Sequence, residues 1–569
     1  MSIFNQIRIK VPKSNGFNLS HEVKQTQDFA DLVPCYTEMI YPGDKFRVNT
    51  DILVKSLPMV APLMHRIDVY VHYFFVPMRL IMGDWEEFVT GYDQSTAKAL
   101  PTLRTVPKYV VTASYSNHNL LDQLFGVGTL WNYLGFPAFS SAEYKDSNGN
   151  CVVKIPKYLI NAYRKIYNDY YRDQNLDPEL SLDMTTTDTN ITLSSSTLSS
   201  IAPLVSLQRR CWRKDYFTSA LPDAQQGPPV NIMPNTSAVS FSMTTQDANY
   251  PFTSSPRPAA GTVVKTTNSG SNQTSVGLNA DDGSSKLLKF DVSKLKGTVT
   301  HDAVTVNTLR QQLRLQTWLE KLERSGHRYA ELLPTMFGVR SDDARLQRAE
   351  FLGGGRQPVV VTEIQNQTYT NSSGAPLGKQ GGTSISAGSQ SGFRRRFKEH
   401  GIMMCIMSIV PAAGYFQGLP RKFLFETKND MFWHEFAHLG EQVVQNKELW
   451  YNFRADSTKN DAEFGYQSRY AELKRNQDRI AGLFAKTDET SLFYWTLARY
   501  FTPQSSTYNI IQSGTTVNLN PNFMHIDKDS LRRCFAIISD QPNNQPFYVQ
   551  MYHNVRALRK MPKFGTPTL

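Results

Sequence analysis

The stretch around which the chain is organised is Met64–Pro77, MHRIDVYVHYFFVP. Ile67, Val69, Val71, Tyr73 and Phe75 fall on one face of an extended strand. Arg66, Asp68, Tyr70, His72 and Phe74 fall on the other. Strand side chains alternate between faces, so a period of two with one wholly apolar set predicts a strand with one face in a core. The second set turns aromatic and aliphatic at Phe74 and Val76, which predicts burial on both faces at that end. Pro77 offers no N–H to a ladder and closes the strand. A strand this apolar needs a second sheet to cover it. The same alternation appears in Phe46, Val48, Thr50, Ile52 and Val54, after a Pro42-Gly43-Asp44 turn, and again from Phe547 toward the C-terminus. Val359–Glu363 reads as a short strand, and Ile402–Pro411 as a strand buried on both faces.

Helical periodicity appears in three places. Asn119–Tyr133 reads as one helix. Leu159–Arg172 carries Ile160, Tyr163, Ile166, Tyr167, Tyr170 and Tyr171 as an aromatic stripe, read as a packing face rather than a base-stacking platform. Thr305–Ser325 places Leu315, Trp318, Leu319 and Leu322 at helical spacing, with Asn307 or Thr308 as cap and Gly326 as stop. Between these lie polar stretches. Residues 1–20 read as a basic, irregular arm, and Leu182–Ser200 as a surface loop. Asn235–Lys296 is rich in Ser, Thr, Gly and Asn and holds few large apolar residues, so it cannot build a sizeable core alone and reads as an external insertion. Ser372–Gly392 reads as a second Gly/Ser loop. Gly353-Gly354-Gly355-Arg356 lacks the Lys-Ser/Thr ending of a phosphate cradle and reads as a flexible turn.

Composition narrows the class. The chain has 569 residues, 40% hydrophobic and 12% aromatic, which suits a folded protein with a large core. Its net charge of +11 suits a polyanionic partner or high solubility, and many copies around one compartment would multiply it. The five cysteines, Cys35, Cys151, Cys211, Cys405 and Cys534, are odd in number, far apart and without a CxxC pair, so they read as reduced thiols. The N-terminus lacks the apolar stretch of a secretory signal. The most apolar run, Ile402–Val410, is about half the roughly twenty residues a membrane helix needs, so no membrane insertion is expected.

Two kinds of chemistry suggest themselves. In Gln208–Val230, the cations Arg209, Arg210, Arg213 and Lys214 are interleaved with Trp212, Tyr216 and Phe217. That combination serves single-stranded nucleic acid binding, where cations neutralise phosphate and rings stack on bases, and it equally serves a subunit interface. Arg394-Arg395-Arg396 and the C-terminal Arg556, Arg559, Lys560 and Lys563 are further cationic clusters. The other kind is His434-Glu435-Phe436-Ala437-His438, an HExxH string of the type that holds zinc when it lies on a helix. Its flanks show no sustained helical stripe. No third histidine follows at the metzincin offset, and Glu441 is too near to be a distant carboxylate ligand. The two histidines therefore read as partly buried groups near an interface, with no catalytic residue, metal or cofactor expected.

Six blocks in order carry a resemblance: Ser20–Phe46, Pro62–Leu80, Asp215–Val230, Arg345–Arg356, Ala437–Gln442 and Phe464–Lys474. Together they resemble the major capsid proteins of the Microviridae, the gokushovirus-like branch of tailless icosahedral single-stranded DNA phages in particular. The resemblance fails only over the Ser/Thr/Gly-rich loops. It implies a mainly β fold, an eight-stranded antiparallel jelly roll with long, partly helical insertions, forming a single domain over residues 1–569. It implies self-assembly into a T=1 shell around circular single-stranded DNA, in a virion assembled in the host cytoplasm. Residues 235–296 are then expected to form a surface protrusion at the threefold axes, and residues 372–392 a second variable loop. Expected partners are pilot, scaffolding and small basic packaging proteins and a bacterial surface receptor. Arg209, Arg210, Arg213, Lys214, Arg556, Arg559, Lys560 and Lys563 are the expected DNA-facing or interface cations.

Overall fold

The protein is described here by a computed structural model. The described residues are 13–93, 98–99, 104–114, 117–139, 150–228, 230, 252–253, 264–267, 277–280, 289–290, 306–325, 328–340, 346–365, 367, 380–453, 457–487, 492–501, 511–512, 516–517, 519–536 and 545–564. Nine strands form the main sheet: β1 (Asn15–Asn18), β2 (His21–Gln27), β3 (Val33–Ile40), β4 (Lys45–Ser56), β5 (Ile67–Pro77), β6 (Glu350–Gln365), β7 (Gln380–Arg396), β8 (Gly401–Pro411) and β9 (Phe547–Arg559). Their order is β1-β9-β4-β7-β6-β5-β8-β3, with β2 also on β9. Every pairing is antiparallel. β1 and β2 lie end to end against β9, interrupted at Leu19-Ser20, so they act as one edge strand and the sheet has the eight positions of a jelly roll.

The sheet curls because the long hairpin β6–β7 changes partners along its length. β6 pairs with β5 over residues 350–359 and with β7 over 360–365. β7 then pairs with β4 over 385–396. The result is a half-barrel whose inner faces meet. Phe46, Val48, Ile52 and Val54 of β4 and Val549, Met551 and Val555 of β9 pack in one cluster with Ile67, Val69, Val71, Tyr73 and Phe75 of β5 and Met403, Cys405, Met407 and Ile409 of β8. This is the covering sheet that the alternation in β5 requires.

β5 and β8 are buried on their outer faces too. Phe74, Val76, Ile402, Met404 and Ile406 pack beneath an insertion made of α1 (His118–Phe125), α2 (Leu130–Tyr133), α3 (Lys157–Ile166) and α4 (Leu198–Val205), with a small sheet of residues 108–114, 150–156 and 189–192. Burial of each such side chain stabilises by about 1.5–3 kcal/mol. The aromatic stripe of α3 and of the π-helical turn Tyr167–Tyr171 that continues it is a packing face: Ile160, Tyr163, Ile166 and Tyr167 are buried in this second cluster, and Tyr170 and Tyr171 pack against it.

Several sequence expectations are corrected. Asn119–Tyr133 is two helices, broken where Gly128 takes a positive φ of 78°. Leu182–Ser200 holds the strand at 189–192 and the start of α4. Asn15–Asn18, placed in an irregular arm, is a strand. The glycine run at 353–355 is no turn but lies within β6, and Val359–Glu363 is only the middle of that strand. Of the expected loop 372–392, residues 380–392 belong to β7 and 372–379 lie outside the described residues. α5 (Val306–Ser325) forms as predicted, with Leu315 and Trp318 about half exposed.

Residues 227–319 make a separate compact unit. Its described parts include two small antiparallel pairs, 252–253 with 289–290 and 264–267 with 277–280. The rest of the expected insertion at 235–296 lies outside the described residues.

Candidate functional site

The Gln208–Val230 segment separates its rings from its cations. Trp212 is buried in the sandwich core, and Tyr216 and Phe217 are buried in a third cluster with Tyr415, Leu449 and Phe523. These rings hold the fold together and present no face to a base. The Arg210 guanidinium lies 4.1 Å from the centre of the Tyr70 ring and donates to Ser408 Oγ at 3.0 Å. Burial lowers its pKa from the usual arginine value. Burial, and then the Arg210 charge, also push neighbouring His72 down to about 4, so its ring is neutral and meets the Tyr171 hydroxyl at 2.8 Å. Arg213 reaches the buried Asp68 carboxylate at 3.3 Å, where Arg66 (3.4 Å) and Arg356 (3.8 Å) converge. Lys214 bonds Asp173 at 2.5 Å and the Thr218 carbonyl at 2.9 Å. Arg209 is half-buried and lines a cavity of about 340 Å³ together with Asp177 and His525.

The C-terminal cations divide in the same way. Arg559 bonds Glu38 at 2.7 Å and lies 3.3 Å from Asp44, tying the end of β9 to the β3–β4 turn. Arg556, Lys560 and Lys563 are exposed, and none has a carboxylate within 4 Å among the described residues. Arg556 stands opposite Arg47 of β4, which stands opposite Arg394 of β7. Sequence reasoning names Arg556 and Arg394 and misses Arg47. An arginine on the polar parity of a strand is unremarkable until strand register puts it between two others.

The HExxH string is not on an α-helix. Residues 434–436 form a single 3-10 turn, the chain then reverses at Gly440 with φ 98°, and a strand begins at Glu441. His434, Glu435 and His438 are exposed, which corrects the expectation of partly buried histidines. Without two helical turns the side chains lack the frame that sets zinc ligands one turn apart. Among the described residues, the one cluster of ligand-type groups is Asp177, Cys211 and His525. There the imidazole acts as a bridge: Nε2 lies 3.2 Å from the Asp177 carboxylate and Nδ1 3.9 Å from Cys211 Sγ. Opposite ring nitrogens face the two groups, an arrangement suited to joining chain segments.

A different surface is strongly apolar. Phe423 (70% exposed), Leu439 (66%) and Trp433 (48%) sit with Phe425, Met431 and Phe432 in one stretch of loop, all exposed. Scattered exposed apolar residues are ordinary, but a run of large ones marks a surface that another molecule covers.

An eight-position antiparallel half-barrel with buried inner faces and long inserted elements follows the jelly-roll plan, which viral capsid proteins share with lectins and cupins. The model of the phage capsid protein (F protein) family matches residues 6–569, and the chain belongs to that family. It is 30% identical to the capsid protein VP1 of Chlamydia phage 1, over all of this chain and 97% of that protein. It is 31% identical to the capsid protein VP1 of Bdellovibrio phage phiMH2K, over 99% of this chain and 97% of that protein, and 25% identical to the VP1 of Spiroplasma virus 4, over 98% and 96%. The Microviridae resemblance read from the six blocks is borne out, and the role of the chain is structural, as a major capsid protein.

Proposed function

We propose that this chain tiles a closed T=1 icosahedral shell, with one copy per asymmetric unit, around circular single-stranded DNA. It does so as a structural subunit, without catalysis, in a virion assembled in the host cytoplasm. Pilot, scaffolding and small basic packaging proteins assist, and external loops, residues 235–296 among them at the threefold axes, meet a bacterial surface receptor. Arg209, Arg210, Arg213, Lys214, Arg556, Arg559, Lys560 and Lys563 face the DNA or the subunit interfaces in this reading.

The observation that carries assembly is the exposed aromatic stretch Phe423–Leu439. A single chain gains nothing from holding these side chains in water. Neighbouring copies cover them, and closed symmetry repeats each contact around the particle. The test is expression of the full chain followed by sedimentation and negative-stain microscopy, alone and with the candidate partner proteins. Shells from the parent chain, and folded, slowly sedimenting subunits from a Phe423→Ser, Leu439→Ser variant, are expected. A parent chain that stays monomeric under all these conditions defeats the proposal. Normal shells from the variant remove the aromatic stretch from it.

A further inference from the structure

The outer face of the half-barrel carries a patch of cations that the fold leaves unanswered. Antiparallel register places Asn18, Arg556, Arg47 and Arg394 in one row across β1, β9, β4 and β7. The next row holds Gly16, Leu558, Lys45 and Arg396. Lys45, Arg47, Arg394, Arg396 and Arg556 are all exposed. Among the described residues none of the five has a carboxylate within 4 Å, whereas Arg395, on the same strand, is paired with Glu350. Neighbouring strands lie about 4.8 Å apart, so three guanidinium-bearing side chains stand shoulder to shoulder. Like charges directly opposite one another destabilise a sheet. The acidic residues of this face, Asp51 and Glu22, lie further along the strands opposite Tyr552, and Glu22 is held by Lys24 at 3.7 Å. They leave the arginine end uniformly positive.

We infer that this arginine ladder is a binding site for the phosphate backbone of single-stranded nucleic acid. The inference rests on the capsid reading above and assigns its DNA contact to a definite surface. Three features select a nucleic acid over an acidic protein segment. Arginine forks suit phosphate oxygens. The charges are exposed and repeat at strand spacing across paired strands, as the charges of a phosphate chain repeat along it. The rows run across strands, so a linear chain of phosphates crossing the sheet meets Arg394, Arg47 and Arg556 in succession. Binding of this kind positions the strand without reading its sequence.

The test compares the full-length parent with an Arg47→Gln, Arg394→Gln, Arg556→Gln variant and with a control of equal charge change, Lys24→Gln, Lys55→Gln, Lys154→Gln. Affinity for a fluorescent thirty-nucleotide oligo-dT is followed against salt. Each phosphate contact contributes about 0.7 to the logarithmic salt slope for a single strand. The arginine variant should lose about 2 from that slope, about a hundredfold in affinity at 0.1 M salt relative to 1 M. The control should lose much less. Thermal melting checks that the variant is folded, and relief of like-charge crowding should leave it no less stable. Equal losses in the arginine variant and the control, or an unchanged slope, overturn the proposal. So does preferential, ladder-dependent binding of polyglutamate, which would make the partner an acidic protein. Parent particles that form and package DNA while the slope is unchanged sink the ladder alone; a parent that forms no particles sinks the shell reading instead.

Discussion

His525 joins three parts of the chain through one ring. Its backbone bridges Cys211, its Nδ1 faces the Cys211 thiol and its Nε2 faces Asp177. Burial alone would lower its pKa, but hydrogen bonds from the ring to Asp177 and Cys211, and their charges, raise it to about 10. The imidazolium is therefore the folded form at neutral pH, paired with a largely buried carboxylate. A folded-state pKa raised above the unfolded 6.5 gives stabilisation that is complete below about pH 6.5 and disappears as pH rises through about 10. Asp177→Asn removes the partner. Its melting temperature should fall well below that of the parent at pH 6.5, and the gap should close toward pH 10. Gaps of equal size at both pH values would mean that the bridge acts by packing alone. The same logic places Lys157, 1% exposed, as a structural cation. It lies 3.0 Å from Asp183 and bonds the Thr187 carbonyl and Thr189 hydroxyl. Removing Asp183 would leave the buried Lys157 ammonium without its charge partner.

At the scale of elements, glycine has opposite meanings in β6 and β7 from those its composition suggests. A Cβ on Gly354 would overlap the Val71 carbonyl oxygen of the paired strand, and one on Gly392 would overlap the Val48 carbonyl. Both glycines let strands approach beside irregularities of register, the shift between Phe351 and Gly353 in β6 and the shift between Gln390 and Phe393 in β7. Gly381, also in β7, has only ordinary van der Waals distances around it. Gly392→Ala should therefore destabilise the fold by about 1–3 kcal/mol or more, the usual result of forcing atoms into a packed site. Gly381→Ala should be neutral or slightly favourable, since alanine gives up less conformational freedom in a strand. Thermal melts of the two variants make the comparison, and equal behaviour would remove close approach as the reason for Gly392. Local composition hides this. GGGR and GGTSISAGSQSG read as turn and loop because glycine and serine are poor strand formers on average. The register that requires them comes from strands far earlier in the chain, Val71 standing 283 residues before Gly354 and Val48 standing 344 before Gly392. β4, β5, β8 and β9 were legible because alternation or unbroken apolarity is a local signal that burial confirms. α3 was legible by its stripe. Of the basic site, single cations were legible but their partners were not: nothing near Arg213 in sequence announces Asp68, and nothing near Arg47 announces Arg556.

For the molecule as a whole, the two insertions stand in different relations to the jelly roll. Residues 118–205 cover the outer face of β5 and β8, and without them Phe74, Val76, Ile402, Met404 and Ile406 would meet water. That insertion packs on one face of the two most apolar strands, and its aromatic stripe is the matching face. Residues 227–319 cluster among themselves as a separate unit, and the Ser, Thr, Gly and Asn content of residues 235–296 gives that stretch few large apolar side chains to bury. Loop closure entropy grows only slowly with length, so long excursions cost a stable scaffold little. Replacing residues 235–296 with a short Gly/Ser linker should leave the strand circular dichroism and melting temperature of the remaining chain within a few degrees of the parent. Replacing residues 118–205 in the same way should give an insoluble or unfolded chain. Measuring both deletions in one background separates a scaffold element from an ornament. If the shorter chain without 235–296 fails to fold, the insertion is part of the core architecture, and a role confined to the outer surface of the shell is excluded.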